Sequence, residues 1–201
     1  VAVQGLADFI DVFCDEGFFT TDQTDRILAA GERYSLVPKI HANELACSGG
    51  VQVAVGHEAL SVDHLERTTD REIRALSGTR TMPTMLPGSS FFLGIPYGRA
   101  KDFVNAGLGV ALASDYNPGS SPSGDMRFVM ALGCIKMHLT PAQAFNACTL
   151  NSAYAMGVSD KLGSITRGKK ANLIITERLP SFGFIPYCYG TPFIKEVLLC
   201  K

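Results

Sequence analysis

Four side chains of the kinds that hold metal ions or move protons stand where short apolar runs break off. His41 and Glu44 close residues 36–44 (LVPKIHANE), His64 closes an apolar segment within residues 60–66 (LSVDHLE), and Asp115 closes residues 108–115 (LGVALASD). Imidazole and carboxylate suit Zn and Fe, and the same groups serve as general acids and bases near neutral pH. A single strand-end histidine is more often a satisfied polar residue than a ligand. Three such endings in succession favour a shared site, because parallel strands bring their C-terminal ends to one rim while the apolar interior stays packed.

The elements that would position them alternate. Residues 7–14 (ADFIDVFC) predict a buried strand ended by Asp15-Glu16-Gly17, and 20–35 a helix with Ile27, Leu28 and Tyr34 on one face. After the His41 strand come a short helix over 51–59, the His64 strand, and a helix over 70–76 capped by Thr69 or Asp70 and closed at Gly78. A strand over 81–86 is stopped by Pro87-Gly88, and a helix over 96–106 leads to the Asp115 strand and its Tyr116-Asn117-Pro118-Gly119-Ser120 turn. This alternation predicts an α/β fold with a parallel sheet or barrel. Two helices follow, over 126–138 and 141–156, the second opened by Thr140 as N-cap and Pro141. Residues 162–176 (LGSITRGKKANLIIT) then predict a hairpin turning at 167–170, and the tail ends in an apolar strand, IKEVLLC. A boundary near Ser159 divides the chain into units 1–159 and 160–201.

The 201 residues, 46% hydrophobic, suffice for a core, and a net charge of −1 with pI near 6.5 argues against nucleic acid or an anionic membrane as partner. No apolar run approaches the roughly 20 residues that span a bilayer, and the opening VAVQGLADF has no charged leader, so a cytoplasmic protein acting on a small molecule is expected. The six cysteines are scattered without a C-x-x-C pair, and most are expected as reduced core thiols. Cys47, though near His41, is also expected to be buried rather than a ligand.

The stretches IDVFCDEG, KIHANEL, SVDHLE, TMLPGSSFFL, GVALASDYNPGS and LGSITRGKKANLII, in this order, resemble the metal-dependent amidohydrolases, and within them a subfamily that opens a small lactam of histidine degradation. The resemblance implies a partial TIM-like (β/α) barrel, strands four to eight, with a C-terminal piece of a small β-sandwich. It implies one Zn or Fe ion held by His41 and Asp115, and a water activated by that ion, whose proton Asp115 takes. Glu44 would contact the substrate ring, His64 would face its carbonyl, and Asn117, Gly119 and Ser120 would line the loop that holds substrate. A homodimer is expected.

One family feature is missing: the His-x-His that supplies two further ligands, since the histidines are His41, His57, His64 and His138. The sequence therefore corresponds to the C-terminal half of a longer chain, and two ligands alone are expected to hold a metal poorly. The alternatives are a deaminase acting on a cyclic amidine and a noncatalytic fragment. Locally, Asp115 could be the Asx residue of its turn, and Glu44 a first-turn helix carboxylate. His57 and His138 are expected at the surface, and Asp63 and Glu66 in solvent or supporting contacts.

Overall fold

The computed structural model describes residues 1–200. Five strands, β1 (Phe9–Cys14), β2 (Val37–Ala42), β3 (Ser61–His64), β4 (Met82–Met85) and β5 (Ala111–Leu112), pair in chain order and all in parallel. Helices α1 (Thr21–Glu32), α2 (Gly50–Gly56), α3 (Asp70–Leu76), α4 (Pro87–Leu93) and α5 (Ala100–Asn105) fill the connections. Right-handed crossovers between strands paired in sequence order put such helices on one face of the sheet. The period-2 alternation follows from that. Val12, Cys14, Ile40, Ala42 and Val62 are buried on the helix side, while Asp11, Lys39, His41, Ser61 and Asp63 occupy the alternate positions. Close packing under α2 depends on Gly50, where a Cβ would lie 2.7 Å from that of Ala42 and 3.1 Å from Cys14.

Helix starts follow local chemistry. Thr20, Thr69 and Thr140 each form a capping box, with Gln23, Glu72 and Gln143 respectively. Beyond the sheet lie α6 (Met126–Ile135), α7 (Pro141–Cys148) and α8 (Leu150–Ala155); Thr149 interrupts the helix expected over 141–156. The break lets Asn151 and Ser152 donate to the carbonyls of Val110 and Leu112, at 2.8 Å each. The strand expected over 108–115 is reduced to two residues, which pair with Thr84 and Met85 of β4.

Pro87-Gly88 stop β4 as expected and also open α4, a helix not expected there: proline suits the first helical position, and Gly88 leaves room for Ser121 Oγ, which a Cβ would meet at 2.7 Å. One further expectation is corrected. The hairpin within 162–176 does not form. Gly163, at φ +88°, tucks against Ala153 and the Thr149 carbonyl, and β6 (Leu173–Thr176) pairs instead, antiparallel, with β7 (Ile194–Leu198), beyond the short α9 (Phe184–Tyr187). The β6–β7 pair forms its own two-stranded sheet. Among the described residues, no helix is long and apolar enough to cross a membrane.

His57 is not a free surface residue, although His138 is exposed as expected. His57 pins α2 to α1, its Nδ1 lying 2.9 Å from Glu32 and its Nε2 3.0 Å from Asp25, with the imidazole only 12% exposed. Burial pulls its pKa down, but the two carboxylates outweigh burial and raise it. A histidine whose pKa is raised by folding stabilises fully below its unfolded value of about 6.5 and loses that contribution as pH rises through the folded value. His57→Gln is therefore expected to cost about 1 kcal/mol in mildly acidic solution, both carboxylates being solvent-facing. Denaturant titrations should show the gap from wild type closing as pH rises; a constant gap would refute the ion-pair origin.

Candidate active site

The rim forms because three strands end where polar side chains begin. His41 is the penultimate residue of β2, in register with Phe13 and Asp63. In a regular strand His64 would share the face of Val62, away from Asp63. Instead His64 and Leu65 adopt φ of 83° and 69°, a left-handed geometry that costs non-glycine residues about 1–3 kcal/mol each, and the imidazole comes to lie 5.3 Å from that of His41. Asp115 also has positive φ, 51°, which Asp tolerates more readily. One ligand-type atom from each of His41, His64 and Asp115 lies within 4.8 Å of the others. The ring of Phe13 backs both histidines, at 6.4 and 6.3 Å.

Each imidazole is committed differently. His41 Nδ1 pairs with Asp11 Oδ2 at 2.8 Å, leaving Nε2 as its remaining nitrogen. Burial lowers the His41 pKa, but the Asp11 hydrogen bond and the charges of Asp11, Asp63 and Asp115 raise it to about 9. His64 has a carboxylate on each side: Glu44 3.6 Å from Nε2 and Glu66 3.5 Å from Nδ1. Its pKa is also raised, burial being outweighed by the two glutamates. Glu44 is pushed above the usual carboxylate range by burial, against the pull of His64 and with a further push from Glu66 and Asp115.

Glu44 is not in a helix: it sits in the loop between β2 and α2, and Ser89 of α4 approaches its Oε1 at 3.4 Å. The Asx residue of the turn after β5 is Asn117 rather than Asp115. Asn117 Oδ1 accepts from the backbone N–H of Gly119 and Ser120 at 2.8 Å each, and its Nδ2 donates to the Asp115 carbonyl at 2.7 Å. Ser120 Oγ donates to Asp115 Oδ2 at 3.0 Å. The loop residues named from the sequence thus converge on Asp115.

Several contributors were missed. Asp15, expected only to end a strand, accepts the backbone N–H groups of Glu44, Leu45 and Ala46 at 2.7, 3.0 and 3.1 Å and so shapes the Glu44 loop. Asp11, Phe13 and Ser90 also carry contacts to the rim or its support. The recurrence of Asp11, Phe13 and Asp15 at alternate positions was the available signal, since it puts all three on the His41 face. Asp63 and Glu66 are buried rather than solvated, Asp63 accepting from Ser61 Oγ at 2.7 Å. Cys47, expected buried, is exposed, its Sγ donating to the Arg67 carbonyl at 2.8 Å.

The chain belongs to the amidohydrolase family, whose pattern it matches over residues 27–193. Among curated relatives it is 53% identical to the imidazolonepropionase of Christiangramia forsetii over 99% of this chain and 48% of that protein, and 43% identical to that of Geobacillus kaustophilus over 98% and 46%. The chain therefore spans about half the length of the curated relatives it matches. Solved structures share the fold: an adenosine deaminase from Xanthomonas campestris with bound zinc (TM-score 0.77, 18% identity, 95% of this chain and 50% of that one). A mutant atrazine chlorohydrolase from Arthrobacter aurescens, complexed with zinc and atraton, is similar at TM-score 0.74 and 14% identity, over 94% of this chain and 49% of that one.

Proposed function

We propose that the complete protein hydrolyses the lactam bond of 4-imidazolone-5-propanoate to N-formimino-L-glutamate. The observation that carries this reading is the convergence of His41, His64 and Asp115 within 4.8 Å on one rim. Relatives named imidazolonepropionase at 40–53% identity support the substrate. β1 to β5 then correspond to strands four to eight of a TIM-like barrel, and β6 with β7 to a piece of a small β-sandwich, with units 1–159 and 160–201. A His-x-His from the other half of the barrel would complete the ligand set.

His41, through Nε2, and Asp115 would hold one Zn or Fe ion, a donor set that suits both. When bound, such an ion supplies a nucleophilic water at neutral pH and polarises the carbonyl. Asp115 accepts the proton that the attacking water gives up, its Oδ2 steadied by Ser120. His64, with both nitrogens facing carboxylates, is assigned to the carbonyl oxygen rather than to the ion, and donates to it as charge develops. Glu44 contacts the ring N–H and assists transfer to the departing nitrogen of the proton that Asp115 took from the water. Asn117, Gly119 and Ser120 line the substrate loop.

The product decides the matter. The complete protein incubated with the imidazolone lactam is expected to yield the ring-opened formimino acid without free ammonia; ammonia release with the ring intact would indicate a cyclic-amidine deaminase. The isolated 201 residues are expected to bind zinc substoichiometrically and to turn over negligibly, and both should recover when a family N-terminal half bearing His-x-His is supplied. Full metal loading and normal turnover by the 201 residues alone would overturn the incomplete-site reading.

A further inference from the structure

One ionisable side chain at the rim has no part in the chemistry above. Glu66 lies two residues beyond His64, and its side chain is completely enclosed, 0% exposed. An enclosed carboxylate is strongly unfavourable unless partners compensate it. Ser90 Oγ, from α4, donates to Oε1 at 2.8 Å. The other oxygen, Oε2, makes no hydrogen bond, and neither does His64 Nδ1, 3.5 Å away. The two atoms left without a hydrogen bond are a matched pair, a ring nitrogen that can donate and a carboxylate oxygen that can accept.

We propose that Glu66, held by Ser90, is the positioning residue for His64: it accepts a hydrogen from Nδ1 and so holds the ring with its Nε2–H turned to the rim as donor to the substrate carbonyl. This rests on the assignment of His64 to the substrate carbonyl. Imidazole can carry its hydrogen on either nitrogen, and the partner of one nitrogen decides the state of the other. Among the described residues, nothing else bonds Nδ1. The left-handed backbone of His64 is held by Leu65 N–H donating to the Ala42 carbonyl at 3.1 Å and Arg67 N–H to that of Asn43 at 2.7 Å. The backbone thus delivers the ring, and Glu66 sets which end of it is active. The competing role for Glu66 is to tether α4 to the loop after β3 through Ser90.

Glu66→Gln separates the two roles. The amide oxygen still accepts from Ser90, so the tether survives, but the NH2 group now faces Nδ1 and forces that nitrogen to be bare. In the complete protein, loaded with zinc and 15N-labelled at histidine, the expected NMR result is a protonated His64 Nδ1 in wild type and a bare Nδ1 in Glu66→Gln. With the imidazolone lactam, kcat should fall roughly 10²- to 10³-fold, as when an oxyanion donor is weakened, because the Nε2–H no longer has a carboxylate behind it, with KM and the thermal midpoint little changed. Glu66→Asp, which keeps the carboxylate, should keep Nδ1 protonated. A bare Nδ1 in wild type, which needs no variant to fold, overturns the proposal, as does an unchanged Nδ1 in Glu66→Gln. If the NMR shift occurs but the wild type opens no lactam, the Glu66 assignment stands and the substrate reading fails.

Discussion

Alanine at His41 or Asp115 is expected to abolish turnover of the complete protein and remove its metal together, whereas alanine at His64 leaves the metal and lowers kcat by roughly 10²- to 10⁴-fold. The distinction comes from how each ring is spent. His41 gives Nδ1 to Asp11 and leaves Nε2, the arrangement in which a carboxylate orients a ligating imidazole. Asp115 is held from behind by Ser120. Removing a supporting partner of a ligand costs about 10- to 100-fold in metal affinity; removing a ligand itself should exceed that. On the proposed reading His64, flanked by Glu44 and Glu66, would stabilise charge that appears only in the transition state, so its loss should fall on kcat. Metal analysis and steady-state kinetics on the same preparations test both arms. If His64→Ala loses metal as readily as His41→Ala, all three converging side chains are ligands and the division of labour is wrong.

The second large effect concerns stability and shape together. Asp15 is 4% exposed and accepts four backbone N–H groups, those of Glu16, Glu44, Leu45 and Ala46. Asp15→Ala leaves these donors unpaired, and hydrogen bonds to charged groups are worth about 1.5–3 kcal/mol each. Loss of about 3 kcal/mol or more is expected as a lower denaturant midpoint at unchanged slope, with a raised KM because the Glu44 loop loses its anchor. Asp15→Asn, which keeps one acceptor oxygen, should fall between. A midpoint within about 0.5 kcal/mol of wild type for Asp15→Ala, the range of ordinary surface changes, would show that solvent replaces the carboxylate.

Much of the scaffold was legible because strand ends announce themselves: an apolar run followed by turn residues marked β1 to β5, and Thr69 and Thr140 marked helix starts. Helix α4 was not, since Pro followed by Gly reads as the stop of a strand, which it is, and the same proline also serves as the first residue of a helix. The partner of β6 was missed because antiparallel pairing was sought in the adjacent turn, whereas it lies beyond α9. In the site, His41, His64 and Asp115 could be named from residue type and position. The approach of His64 could not, because period-2 alternation sends it to the opposite face and a positive φ leaves no mark on a histidine in sequence. Asp11 escaped, and Glu66 was left between solvent and a supporting contact, for a simpler reason: a carboxylate beside a strand end resembles any solvated one until its neighbours are known.

Strictly sequential strand pairing also sets an order of assembly during synthesis. A chain leaving the ribosome N-terminus first lays β2 on β1, β3 on β2 and β4 on β3, so His41 and His64 can meet over Phe13 while Asp115 is still inside the tunnel. The carboxylates that hold the two imidazoles, Asp11, Glu44 and Glu66, emerge in that same interval. Asp115 arrives last, on a strand of only two residues, and until then the outer edge of β4 is an unpaired strand available to other nascent chains. The residue that closes the rim is therefore also the one whose arrival ends that exposure.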